Sequence, residues 1–557
     1  MRLRARAASG VAVFAGFLFA GGLCAAQAED PHAACATPPA YVPAEILSRP
    51  LPLRQGIGNS HETITTSNAQ AQAYYDQGLN YLESYVWIEA ARSFNQALHL
   101  DPKLAMAYVG LSRVYSGLDD PAAAALYLEK AKSHAEGISD GERGRIEIRA
   151  KQLDAIADLE NGNKFLAYKK AIDDALAADM DDPQLWLLRG NAEESNASGR
   201  GQRGTAGSIV FYEKVLQIVP DHASAHHYLI HSYETIGRAD KALEHGEAYA
   251  RLAPAIPHAA HMWGHDLRRV GRVDDAIVQF KKAYALEADY YRQEKLDPAL
   301  DWHHGHNLDL LATCYQYKGQ IRQTEKTMRE ATSLKSLDAY RAFNMRELPG
   351  FLIQRGRYQE ALGAAKEMGG TEFPQSRCVG HALAGEALIG LRKMDDATHE
   401  LEAAEEELKQ VPLVTPGTIP RRSAVEPWVE ALRGEIQLRT GKEKEGRETL
   451  RQVERAMRAI PGPDAWTQTL FRLELIAATA REVGDWELAD FTAAQMLDHD
   501  PAYAGSHLAR ALVLEHRGDP AGAAKEFDAA RLAWRDADPD LPELKLIPAT
   551  QEIKASR

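Results

Sequence analysis

AQAYYDQGLNYLESYVWIEAARSFNQALHLDP, residues 71–102, decides the architecture. Gly78 and Ala90 are small enough to let two antiparallel helices approach, and Tyr81 and Phe94 are large enough to fill the space between that pair and the next. Pro102 closes the unit. One such pair cannot bury its apolar face alone, so copies must stack. The copy from Ala105 keeps Tyr108, Tyr115, Ala124 and Ala131, whereas residues 141–182 are helical in pattern but keep little else. From Pro183 the register returns with Trp186 and Gly190, interrupted by the loop SGRGQRGTAG at 198–207. Further copies start near Ala223, Pro257, Gly305, Ala342, Cys378, Pro427, Leu470 and Ala504. Gly237, Gly271, Gly319, Gly356, Gly441, Gly484 and Gly518 mark their internal turns, and Pro220, Pro254 and Pro501 close three of them. No strand pattern competes, so the expectation is an all-α solenoid over residues 67–540.

Tyr74, Gly78, Tyr81, Ala90, Phe94, Ala97 and Pro102 together resemble the tetratricopeptide repeat (TPR), whose period is 34 residues. The resemblance implies stacked antiparallel helix pairs whose first helices line a concave surface, with the fifth, ninth and twelfth residues of each copy facing it.

The chain has 557 residues, too many for one compact core and enough for a repeat array. A formal charge of −14 offers no basic face for phosphates, which argues against nucleic acid as a partner. Residues 1–28 read as a secretory signal: Arg2, Arg4 and Arg6, then an apolar run from Gly10 to Leu23, then Ala26-Gln27-Ala28 for a peptidase. The run is short for a membrane span and no other stretch approaches one, so the mature chain is expected to be periplasmic or secreted, without a span. Cys24 as a lipid-attachment site is the lesser reading, because Leu23 stands where a small residue is expected. Residues 29–66 carry six prolines and read as an extended lead-in, and 541–557 as a tail. Cys35, Cys314 and Cys378 form no CxxC or CxxCH and read as packed or incidental thiols.

Eleven of the 20 histidines fall between Asp221 and Asn307, in the segments DHASAHHYLIHSYE, PHAAHMWGHDLRR and DWHHGHNLDLLATCY. His227 with His231, and His261 with His265, are four apart, which on a helix is one face. The second pair follows the first by 34 residues, as Arg268 follows Glu234, so adjacent copies carry the same histidines. In the TPR register these are concave positions. The copy from Gly305 offers Asp309 there, with His306 three residues before it, and the copy from Pro183 offers Glu194. Two such imidazole pairs on neighbouring helices, with carboxylates as further donors, suit copper or zinc rather than calcium or magnesium. A single histidine on a helix is more often solvated or hydrogen-bonded than a ligand, so His99, His134, His399, His499 and His516 carry no weight. His226 sits in an aromatic core slot, His222 and His258 read as caps or supporting groups, and Glu234 with Arg268 reads equally well as an inter-helix ion pair.

An extra segment, ADYYRQEKLDPALDWHH, separates the copies from Pro257 and Gly305 and delivers His303 and His304, which would complete or cover the site as a lid. Neither histidine pair has the glutamate of HExxH, although Glu234 stands where a base for metal-bound water would be useful. The phrases HYxIHxxE, HMxxHxxxRxGR and HNxxxL resemble a group of bacterial exported TPR proteins, as does AWRDAD at 533–538; Asp266 departs from that group. The expectation is therefore a metal site of His227, His231, His261, His265, His306 and His303, with Glu234, His304, Asp309, Glu194 and Arg268 as further candidates. Two other functions fit the same chain: a scaffold holding a protein or peptide partner in the concave groove without metal, and a metal-dependent oxidoreductase or hydrolase.

Overall fold

The computed structural model describes residues 42–193, 204–334, 339–413, 415, 420–458 and 463–548. Contacts divide the chain into Met1–Thr37 and a unit from Pro38 onward. The leader and Cys35 lie outside the described residues.

The described residues contain helices and no strand. Helix follows helix in antiparallel pairs: Ala69–Glu83 with Trp87–Leu100, Ala105–Gly117 with Pro121–Ser133, and so on to Ala504–His516 with Pro520–Ala533. Phe94 shows why the copies stack. It is fully buried, and a Cβ added to Gly78 of its own pair or to Gly110 of the next would come within 2.6 Å of its ring. The aromatic ring of one copy thus fills the two clefts that glycine leaves on either side of it. Gly264 and Phe280 repeat the device farther along. All seven expected turn glycines adopt positive φ, where an L side chain is strained. Tyr85, Asp119 and Arg392 hold that conformation without being glycine. No described helix is long and apolar enough to cross a membrane.

The extra segment is not a loop. Val273–Glu294 simply runs on to 22 residues, ends at Lys295 with a left-handed φ of 53°, and a short 3-10 turn at Pro298–Leu300 leads into Trp302–Tyr317. Its length serves packing: Tyr290 donates to Glu89, Trp302 to the carbonyl of Tyr85, and Glu294 pairs with Arg54 and Arg92. The expected lid is a fixed wall against the first copy.

The residues before the first pair also reach the central copies. The amide of Ala255 donates to the Gly56 carbonyl, Asn59 spans Asp221 and Ala223, and Ser60 meets Ser224 at 3.0 Å. At the other end, Trp534 donates to the Tyr317 carbonyl and Asp538 to that of Gly319. Both ends of the described chain therefore close onto its middle.

Candidate metal centre

Three first helices carry the site: Ala223–Thr235, Pro257–Arg269 and Trp302–Tyr317. The spacing of four places His227 and His231 together on the first of these helices and His261 and His265 together on the second. The structure brings all six principal histidines together, but not on an open surface. His227 and His261 are 0% exposed, and His231, His265, His303 and His306 are buried. The turn of the first copy covers them: the Tyr85 ring lies 4.6 Å from His227, 5.9 Å from His231 and 5.2 Å from His258, centroid to centroid. Sequence register assigns a residue to the inner face but is blind to what crosses that face from a distant copy.

Three triads can each converge on one ion: His227, His231 and His258; His258, His261 and His303; His261, His265 and His306. Within them, His227 Nε2 lies 3.1 Å from His231 Nε2 and 3.0 Å from His258 Nε2, and His261 Nε2 lies 3.0 Å from His265 Nε2. A tetrahedral ion with nitrogen ligands at 2.0–2.1 Å separates those nitrogens by about 3.3 Å.

The far sides of the rings fix which nitrogen faces inward. His227 Nδ1 donates to the carbonyl of Glu83 at 2.7 Å. His261 Nδ1 donates to Asn307 Oδ1 at 2.9 Å, and Asn307 is oriented by its own donation to the Phe280 carbonyl. His303 Nδ1 meets Glu287 Oε1, while Glu234 stands 3.6 Å from His265 Nδ1 and 3.2 Å from Arg269 Nε. A proton held at Nδ1 leaves the Nε2 lone pair bare, and a carbonyl, amide or carboxylate behind the ring is the usual support of a metal-ligating histidine. Lone pairs 3 Å apart repel unless a proton or a metal ion lies between them.

Burial holds His227, His258 and His261 well below the usual histidine range, with neighbouring imidazoles adding to the effect, so these rings are neutral at neutral pH. Burial alone would raise Glu287, but the charge and hydrogen bonds of His303 and His304 bring it below its ordinary value. Two buried nitrogens of the cluster, His258 Nδ1 and His303 Nε2, have no hydrogen-bond partner. Both residues line a cavity of about 80 Å³ whose wall includes Tyr85, Glu89, Tyr290 and Asp301.

His258 corrects the sequence reading. It lies inside its helix, directly after Pro257, and is shared by two triads. Its spacing of three from His261 is also a same-face spacing and was the available signal. His222 stands at the N-cap without a side-chain cap bond, and His226 is half-buried against His245 at 2.9 Å rather than packed in the core. Other candidates fall outside the triads. His304 turns to Glu287 Oε2 at 2.8 Å, Asp309 pairs with Arg341 at 2.8 Å, and Arg268 is buried near Cys314 and Tyr317. Glu194 lies outside the described residues. Glu83, Tyr85 and Glu287, which support the rings, carry no local sequence signal because they arrive from other helices. Cys314 and Cys378 are buried free thiols, each pushed up to about 12 by burial.

Helix pairs joined by positive-φ turns, stacked glycine against aromatic, define the class: an all-α solenoid of helical repeats, similar in architecture to the tetratricopeptide-repeat proteins. No family profile matches it and no curated protein does. Solved structures similar to it include a tetratricopeptide repeat protein from Parabacteroides merdae, 13% identical over 48% of this chain and 93% of that one, TM-score 0.34. YrrB, described as a TPR protein with an unusual peptide-binding site, is 15% identical over 35% of this chain and 91% of its own, TM-score 0.26. The human IFIT1 dimer with m7Gppp-AAAA is 12% identical over 84% of this chain and 91% of that one, TM-score 0.33. Likenesses this distant carry no functional argument.

Proposed function

We propose that this is an exported TPR protein that holds zinc or copper in a buried histidine centre. The observation that carries the reading is the set of Nε2 atoms 3.0–3.1 Å apart around His227 and His261, each of which has its Nδ1 committed to a protein acceptor. Imidazole donors without thiolate suit zinc or copper and not the oxygen-seeking calcium or magnesium. With one donor atom from each ring, the triads overlap at His258 and His261, so all three cannot fill at once. Two ions are the natural complement: one on His227, His231 and His258, the other on His261, His265 and His306. His303 lies between them as a fourth ligand for either.

The cavity beside His258 and His303, about 80 Å³, has room for two or three water molecules at about 30 Å³ each. It favours, as a second reading, an oxidoreductase or hydrolase acting on a very small substrate. A protein- or peptide-holding scaffold fits the fold equally well but gives no account of seven converging buried imidazoles.

Elemental analysis of untagged protein recovered from its exported compartment tests the proposal. Two equivalents of zinc or copper per chain are expected, lost in the double variant His231→Ala, His265→Ala while helicity is retained. No bound metal, and none taken up on titration near neutral pH, would refute it.

A further inference from the structure

A second polar cavity lies among the first four copies, away from the histidines, with a volume of about 30 Å³. Three arginines face it: Arg113, Arg145 and Arg149. The nearby carboxylates are both spent on one of them, since Arg145 binds Glu62 through Nε and Asp182 through Nη2. Glu62 is further occupied by the Tyr75 hydroxyl. Arg149 is 3% exposed and donates only to neutral groups: the hydroxyl and carbonyl of Ser112, the Ser116 hydroxyl and Gln152 Oε1. Arg113 makes no hydrogen bond or ion pair with a described residue, and Gln184, 4% exposed, presents an Nε2 that has no acceptor.

A buried guanidinium without a counter-charge is costly, and a second guanidinium beside it adds to the cost. Burial and the Arg113 charge pull Arg149 down to about 9. Arg113 occupies the ninth place of its copy, the place held by His231 and His265 in theirs. The inner face therefore changes along the array from a cationic pocket to a cluster of imidazoles. We infer that the cavity bounded by Arg113, Arg149 and Gln184 is a binding site for one small oxyanion, a phosphate or carboxylate group. Its oxygens would accept from the free Arg113 fork and from Gln184 Nε2, and its charge would neutralise Arg149. A cavity of this size excludes a nucleotide.

Arg113 suits the test because no described group takes a hydrogen bond or ion pair from its side chain, and its charge acts on Glu62 only as the smallest of several contributions. Calorimetric titration of the full chain with inorganic phosphate, and separately with acetate, at matched ionic strength should show saturable binding at one site per chain. Phosphate binding without acetate binding assigns a phosphate group, and the reverse assigns a carboxylate. Arg113→Gln should weaken binding at least tenfold, and without anion it should melt no lower than the parent, since it removes a like charge from beside Arg149. Gln184→Leu should weaken binding while leaving helicity unchanged. Absence of saturable binding to both anions, affinity unaltered by Arg113→Gln, or a lower anion-free melting temperature for that variant would overturn the inference.

Discussion

At the scale of single residues, the centre is governed by what stands behind the imidazoles. Glu287 holds the Nδ1 atoms of both His303 and His304, yet only His303 has its other nitrogen aimed at the cluster. Glu287→Gln keeps the size and one acceptor but removes the charge, so metal affinity measured against a competing chelator should fall about 10- to 100-fold, the usual effect of losing such a support. His304→Ala should leave that affinity within a few-fold of the parent. Equal losses in the two variants would show that His304 is a ligand. The repeated pairs His227 with His231 and His261 with His265 were legible because their spacing is local and recurs at the repeat length. Glu287 and Tyr85 were not, because each reaches the cluster from a helix or turn whose own sequence says nothing of its neighbour.

At the scale of the helix pair, the turn between the two helices is the most informative element. Seven glycines with positive φ made the register readable, since a turn that needs that conformation selects glycine. Tyr85, Asp119 and Arg392 fill the same kind of turn at a cost of about 1–2 kcal/mol for an L residue in the left-handed region. Arg392 is exposed, so Arg392→Gly should relieve that strain and raise the melting temperature by about 1 °C, roughly 1 kcal/mol in stability for a chain of this length. Tyr85→Gly relieves the same strain but strips a buried ring from the face of His227, His231 and His258. It should lower the melting temperature, because losing a buried aromatic side chain costs about 3–5 kcal/mol. If both variants are stabilised, Tyr85 does not cover the centre as described. The extra segment misled at this scale for a related reason: a helix that runs on past its normal end has the same amphipathic composition as an insertion, and only its partners on the first copy show it to be a wall.

At the scale of the whole molecule, protonation acts on the metal-free protein from two sides. His227, His258 and His261 are held neutral when folded but titrate near 6.5 when unfolded. Above pH 6.5 both states are neutral and these groups contribute no pH dependence. As pH falls below 6.5 the unfolded chain takes up protons that the folded chain refuses, so stability declines, by up to about 4 kcal/mol per pH unit for three such rings. His304 works in the opposite sense. Burial disfavours its charge, but Glu287 outweighs burial and raises it, so it adds stability below pH 6.5 that is lost as pH rises through its folded value. One such ring offsets only part of the acid loss. Glu474 sets the other side: burial, with Glu543 adding to it, raises its carboxyl to about 7, so the folded protein keeps a proton that the unfolded chain releases above about 4.5. Stability from this group falls as pH rises from about 4.5 to about 7, by about 3 kcal/mol in all. The three rings outweigh the single carboxyl, so melting temperatures of chelator-treated protein should be highest near pH 7 and fall steadily below about pH 6.5. Adding zinc or copper should raise the curve at neutral pH and steepen its acid side, because protons then compete with the ion for the same Nε2 atoms. A curve with the same shape with and without metal would mean that the imidazoles are not the atoms that bind it.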